Sequence, residues 1–274
     1  MNNANETMRV DFGVRLALVS GATGGIGMAV CQRLLEDGYR VVMLGRSAPR
    51  LAAAQQTLLE ACQGNAAERL FTQVIDIADP SSVDEAAAAI RQRNGEVTDL
   101  VHAAGDGPVA PLLETTESMW NGTVQGKLLG TVRLTKAIAA GMVQRYFGNI
   151  VIVNGVFSRE ADPLFPINTM VNSGLSGFAK AISHDLGRSR VRVNVVNPGA
   201  TETPLWRQIC HSIAERLGTT ADAIDQQART NAPSGAIATP ADIANVVAFL
   251  LSPGSAHLLG ATVNVDGGST KTVG

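Results

Sequence analysis

Leu16-Ala17-Leu18-Val19-Ser20-Gly21-Ala22-Thr23-Gly24-Gly25-Ile26-Gly27 passes from an apolar, strand-like run into a glycine-rich turn and then into a helical segment, 28–37. Glycine allows a tight turn and lets backbone N–H groups come close to a pyrophosphate at a helix N-terminus, where the helix dipole favours negative charge. After the first strand of a β/α pattern, this turn predicts a dinucleotide cradle made by Gly21, Thr23, Gly25, Ile26 and Gly27. A plain tight turn is the alternative reading.

Outward from this turn, short apolar runs alternate with amphipathic segments along the chain. Strands are expected at 15–20, 40–44, 70–75, 99–103, 149–154, 191–196 and 262–265. Apolar runs of that length, separated by helices, belong to parallel strands covered on both faces. The fold class expected is therefore α/β: a doubly wound, seven-stranded parallel sheet with helices on both faces. Asp79-Pro80 and Thr239-Pro240 each put proline near the first turn of a helix, which marks two helix starts.

A chain of 274 residues, 45% hydrophobic with 28 glycines, suits one large domain over 14–274 behind a flexible leader, 1–13. A formal net charge of -2 gives no electrostatic footprint for nucleic acid or an anionic membrane. Small molecules and further copies of the chain are the expected partners. Cys31, Cys62 and Cys210 are scattered and odd in number, which argues against a disulfide framework or a metal cluster and for reduced, buried thiols. No stretch approaches the roughly 18 uninterrupted apolar residues of a membrane span, so a cytoplasmic protein is expected.

Five segments in order carry a resemblance to the short-chain dehydrogenase/reductase family, whose fold is Rossmann-like. Gly21, Gly25 and Gly27 match the family's TGxxxGxG turn, with Ser20 for its leading Thr. Asp76, followed by Ile77, resembles the residue that caps the adenine amino group. Ala104-Gly105 closes His102-Ala103-Ala104-Gly105 as in the family's Asn-Asn-Ala-Gly. Arg192 to Gly199, followed by Thr201 and Thr203, resembles the stretch that holds the nicotinamide carboxamide. Gly260 to Gly268 matches the last strand and turn. The resemblance implies cofactor contacts at Ala103, Ala104, Gly105, Pro198, Gly199, Thr201 and Thr203.

The second strand ends in Gly45-Arg46-Ser47. There an acid would select NAD(H), whereas a guanidinium suits the 2′-phosphate of NADP(H), so NADP(H) is expected; a solvated loop position for Arg46 is the alternative. NAD(H), or no cofactor at all, stays open.

In the resembled family a Tyr phenol protonates the substrate carbonyl, a Lys four residues on supports it, a Ser orients substrate and an Asn completes a relay. Gly174-Leu175-Ser176-Gly177-Phe178 fixes the register, which puts Asn168 at the Tyr position and Asn172 at the Lys position. The Ser position falls on Gly155, and Lys127-Leu128-Leu129-Gly130 stands where the family writes Asn-x-x-Gly. Neither of the chain's two tyrosines, Tyr39 and Tyr146, is followed by a Lys at the needed spacing.

An Asn carboxamide cannot deliver a proton near neutral pH, and Gly155 has no side chain. The expectation is an atypical small-molecule enzyme on a scaffold that binds NADP(H) but has left ordinary reduction for diverged or non-redox chemistry, that of an isomerase, a lyase or a cyclase. The alternatives are an NADP-dependent oxidoreductase with a substitute proton donor and a catalytically inactive partner subunit. Lys127 is the candidate acid, base or nucleophile, or else a cation facing solvent or cofactor. His102 and Asp106 are offered as a second titrating group, with a structural His102 as the alternative. Asn154, Asn168 and Asn172 together would present amide donors to an oxyanion. Segment 203–232, with Trp206, Arg207, His211 and Arg229, is expected to form a substrate lid. Arg159, Glu160 and Asp162 either face the pocket or lie in an exposed loop. Helices starting near Thr115 and Asn168 resemble the family's dimer faces, which implies a dimer or tetramer.

Overall fold

The computed structural model describes residues 14–272; the leader expected at 1–13 lies outside the described residues. The chain runs β1 (Leu16–Ser20), α1 (Gly25–Glu36), β2 (Arg40–Gly45), α2 (Ala48–Ala61), the short α3 (Ala66–Arg69), β3 (Leu70–Val74), α4 (Pro80–Asn94) and β4 (Asp99–His102). It continues through α5 (Glu117–Thr123), a π-helical turn over Val124–Leu129, α6 (Gly130–Gln144), β5 (Gly148–Val153), α7 (Pro166–Leu186) and β6 (Val191–Pro198). It closes with α8 (Pro204–Leu217), α9 (Ala221–Asn231), α10 (Pro240–Leu251) and β7 (Thr262–Val265).

Among the described residues the seven strands form one parallel sheet in the order β3-β2-β1-β4-β5-β6-β7. The alternation of side chains along each strand assigns the two faces. Leu16 and Leu18 of β1 join Val83, Ile90, Leu134, Met142, Ile167, Val171 and Leu175 in the core beneath α4, α6 and α7. Ala17 and Val19 pack the other way, with Val30, Leu34, Leu51, Leu58, Ile243 and Val247 of α1, α2 and α10. Full burial of one such Leu contributes roughly 1.5–3 kcal/mol, so this two-sided core dominates the fold's stability.

Most expected strands agree within one or two residues, the scatter normal for helix and strand ends. The first helix is the larger difference: it starts at Gly25, so Gly25, Ile26 and Gly27 lie inside its first turn. Pro80 and Pro240 open α4 and α10 as expected, capped by Asp79 and by a Thr239–Asp242 capping box. Cys31 and Cys210 are buried free thiols, but Cys62 is only half-buried. The expected dimer helices begin at Glu117 and Pro166. Among the described residues no helix is long and apolar enough to cross a membrane.

Candidate active site

Strand order reverses between β1 and β4, and in an open parallel sheet the crevice outside the carboxyl ends of the strands at such a reversal is where ligands bind. The glycine turn follows β1 directly. Gly21 has φ +68°, and a Cβ on it would collide with the Ala103 backbone; a Cβ on Gly27 would collide with the Gly21 carbonyl. Glycine at both places lets α1 press onto the turn beside the end of β4. The N-cap, Gly24, has no side-chain cap, so the first turn of α1 keeps its backbone donors for something other than a capping side chain.

A cleft of about 200 Å³ opens at this edge, lined among others by Ile26, Ala103, Gly105, Pro198, Gly199, Thr201 and Thr203. Seven of the expected cofactor positions thus meet in one place. Thr203 caps α8 by accepting from the Trp206 N–H at 3.1 Å, and its hydroxyl donates to the Thr201 carbonyl at 3.2 Å. Arg46 stands exposed after β2, and Ser47 caps α2. The Asp76 carboxylate accepts from the Ala78 N–H at 3.0 Å. The Ile77 side chain is turned into the core, 2.7 Å from where a Cβ on Gly130 would sit, which leaves its backbone to face the edge of the sheet.

Lys127 lies in the π-helical turn between α5 and α6 and is 5% exposed. Its Nζ donates to the Asn154 carbonyl at 3.2 Å. Gly105, at φ +90°, permits this approach: a Cβ there would lie 2.8 Å from the Lys127 Cβ. Burial pulls the Lys127 amine below the usual lysine range, and the charge of Asp106 partly opposes the shift. The alternative of a solvent-facing cation is thereby corrected: Lys127 faces the cleft.

Asn172 also lines the cleft, with its Oδ1 buried and unpartnered. A Cβ on Gly155 would lie 2.8 Å from the Asn172 Nδ2. Asn168 does not line the cleft; its Nδ2 donates to Asp106 Oδ1 at 3.1 Å. Asn154 Nδ2 is engaged by the Asn172 carbonyl at 2.9 Å and the Ser176 hydroxyl at 3.1 Å. The three asparagines therefore do not converge as an oxyanion-binding set of donors. The buried atoms left without partners at Asn154, Asn168 and Asn172 are all Oδ1, acceptors that suit hydroxyl donors.

His102 is not part of the chemistry. It is buried, its Nε2 meets the Thr135 hydroxyl at 2.9 Å, and desolvation lowers its pKa to about 3. Asp106 does line the cleft. Arg159 and Glu160 are exposed, and Asp162 accepts from the Leu164 N–H at 2.8 Å; these three are loop residues. The expected lid, 203–232, is built of α8 and α9, and only its near edge reaches the cleft through Thr203, Leu205, Trp206 and Ile209. Arg207, His211 and Arg229 line a neighbouring groove, where Arg229 pairs with Asp225 and Glu202. Phe157 and Phe165, stacked with centroids 4.4 Å apart, form an apolar wall that no motif in the sequence announced.

A profile of the enoyl-(acyl carrier protein) reductase family matches residues 21–270. The chain is 30% identical over 265 residues to the 3-oxoacyl-(acyl-carrier-protein) reductase MabA of Mycobacterium tuberculosis, covering 97% of this chain and 96% of that one. It is 29% identical over 259 residues to the corresponding reductase FabG of Escherichia coli, covering 94% and 98%. The crystal structure of a single-residue variant of actinorhodin polyketide ketoreductase with NADPH superposes with a TM-score of 0.89 at 28% identity, covering 94% of this chain and 98% of that one. These similar proteins are reductases along nearly the whole chain, and they overturn the expectation of diverged, non-redox chemistry.

Proposed function

The chain belongs to the short-chain dehydrogenase/reductase family, and on that premise we propose that it is an NADP(H)-dependent reductase of small-molecule carbonyls in which the Lys127 ammonium supplies the proton. The observation that carries this reading is the placement of the Lys127 amine: buried, lowered in pKa, and facing the cleft from the π-helical turn. The four positions at which the family keeps Asn, Ser, Tyr and Lys are, in this reading, Lys127, Gly155, Asn168 and Asn172. Carboxamides transfer no proton near neutrality, so the acid must come from elsewhere in the lining. An amine whose pKa is pulled toward neutral pH by burial is a suitable one.

The residues present fit the dinucleotide. The uncapped first turn of α1 suits a pyrophosphate, and Arg46 with Ser47 suits a 2′-phosphate. Asp76 would take the adenine end, and Pro198, Gly199, Thr201 and Thr203 the carboxamide end. The orphan Oδ1 atoms of Asn154 and Asn172 are buried acceptors that suit ribose hydroxyls. NADPH supplies the hydride when bound. Lys127 Nζ gives its proton to the substrate oxygen, which becomes a hydroxyl, and the neutral amine regains a proton from solvent.

The likeness to MabA, FabG and the actinorhodin ketoreductase favours a 3-oxoacyl thioester or a related β-carbonyl compound. The apolar wall of Phe157, Phe165, Leu205, Trp206 and Ile209 suits its acyl chain. A homo-oligomer, dimer or tetramer, is part of the proposal and is read by light scattering.

Loss of NADPH absorbance with acetoacetyl-N-acetylcysteamine is the test. Turnover is expected, with Lys127→Met slowed about 10²- to 10⁴-fold, the usual range for a lost general acid. Unchanged turnover in Lys127→Met would remove Lys127 from the role; failure of the wild-type protein to bind NADPH would remove the reductase reading altogether.

A further inference from the structure

Among the described residues lining the cleft, Lys127 is the only basic side chain and Asp106 the only acidic one. Asp106 follows Gly105 in the loop after β4, the same glycine whose missing Cβ admits the Lys127 side chain. Its Oδ1 accepts from Asn168 Nδ2 at 3.1 Å, and Asn168 is itself 3% exposed on α7. A Cβ on Gly107 would collide with the Asn168 amide, so the loop lies flat against that side chain. The carboxylate is thus held from α7, in the lining of the same cleft that the Lys127 amine faces from the π-helical turn, and its charge acts on that amine.

The other groups around Lys127 leave this carboxylate as its electrostatic neighbour. On α7, Asn168 and Asn172 are neutral; at the end of β5, Asn154 and Gly155 are neutral. At the start of α8, the capping Thr203 and Trp206 are neutral. His102 of β4 is turned to Thr135. Arg133 of α6 bonds the Ile77 and Gln125 carbonyls, and Lys136 of α6 and Glu117 of α5 are exposed.

We propose that Asp106, fixed by Asn168, is a positioning residue that keeps Lys127 in its ammonium form within the cleft. This rests on the proposed role of Lys127 as the proton donor. A buried ammonium next to no opposite charge loses its proton readily, and a carboxylate within about 4–6 Å favours the charged form by about 1–3 pH units. Asn168, at the family's Tyr position, thereby keeps a part in proton transfer without carrying a proton: it holds the anion that holds the cation.

Two readouts separate this from a structural role. The first needs no turnover. Competitive acetylation of the purified protein with acetic anhydride across pH, read by mass spectrometry at Lys127, gives the titration of that amine. Asp106→Asn keeps an acceptor for Asn168 while removing the charge, and its Lys127 curve is expected to move to lower pH by about one unit or more. The second is the pH profile of NADPH-dependent reduction of acetoacetyl-N-acetylcysteamine. The reaction needs the ammonium, so its alkaline limb follows the Lys127 titration and shifts acidward in Asp106→Asn. Asn168→Ala keeps the charge but frees it, and is expected to lower kcat with a smaller shift of the limb. A Lys127 labelling curve that coincides in wild type and Asp106→Asn overturns the proposal. Activity retained in Lys127→Met, by contrast, sinks the proton-donor reading and leaves the labelling result to stand on its own.

Discussion

Gly155 and Asn172 share one volume: the space a side chain on Gly155 would fill holds the Asn172 amide, with Nδ2 2.8 Å from the Cβ position. Asn172 is 2% exposed, so that amide has little room to swing away. Gly155→Ala is therefore expected to destabilise the protein by about 1–3 kcal/mol, the usual cost of overpacking a full site. In the Asn172→Ala background the cost should largely vanish. A double-mutant cycle by urea unfolding reads the coupling, expected at about 0.5–3 kcal/mol; additive effects would show that the two residues do not share space.

Arg46 sets the dinucleotide preference in the proposed function. A charge-assisted hydrogen bond contributes about 1.5–3 kcal/mol, equivalent to about 10- to 150-fold in affinity. Arg46→Ala should weaken NADPH by that factor and leave NADH unchanged, measured by titration calorimetry. Equal weakening of both would place Arg46 away from the 2′-phosphate.

Gly27 lies inside the first turn of α1, where an added Cβ would overlap the Gly21 carbonyl. The obstructing atom is backbone, which cannot rotate aside. Gly27→Ala should lower Tm and abolish NADPH binding together, whereas Gly38→Ala, where a Cβ meets nothing within 4 Å but φ is +89°, should cost stability and spare binding.

His102 makes stability pH-dependent. Its folded pKa is lowered from 6.5 to about 3 by burial. Between those values the unfolded chain binds a proton that the folded chain refuses, so stability is full above about pH 6.5 and falls as pH drops toward 3. His102→Gln, which can keep a bond to Thr135, should flatten that part of the curve in urea melts run across pH. An unchanged slope would assign the acid sensitivity to other groups.

Much of the site was legible from local text. The glycine turn, Asp76, Ala103 to Gly105 and Pro198 to Thr203 are contiguous motifs, and each follows a strand that ends at the same edge of a parallel sheet. Asn168 and Asn172 were identifiable by register, but their roles were not: one bonds the loop after β4 and the other fills the space above Gly155. The Phe157–Phe165 wall and the neutrality of His102 left no local trace, since both depend on neighbours far along the chain. The non-redox expectation rested on four positions read by register alone, and the likeness to reductases along nearly the whole chain overturned it.

Apolar periodicity and glycine placement are properties of neighbouring residues, and they alone determined the seven-stranded α/β scaffold and the edge at which a dinucleotide could sit. Folding decided the chemistry of that edge. Lys127 faces the cleft because a π-helical turn breaks the regular helical spacing, and its amine meets the Asn154 carbonyl from 27 residues away, while Asp106 is gripped by Asn168 from 62 residues away. Charge, burial and hydrogen bonding of a side chain are fixed by what packs around it, and those neighbours come from segments that only the closed sheet brings together.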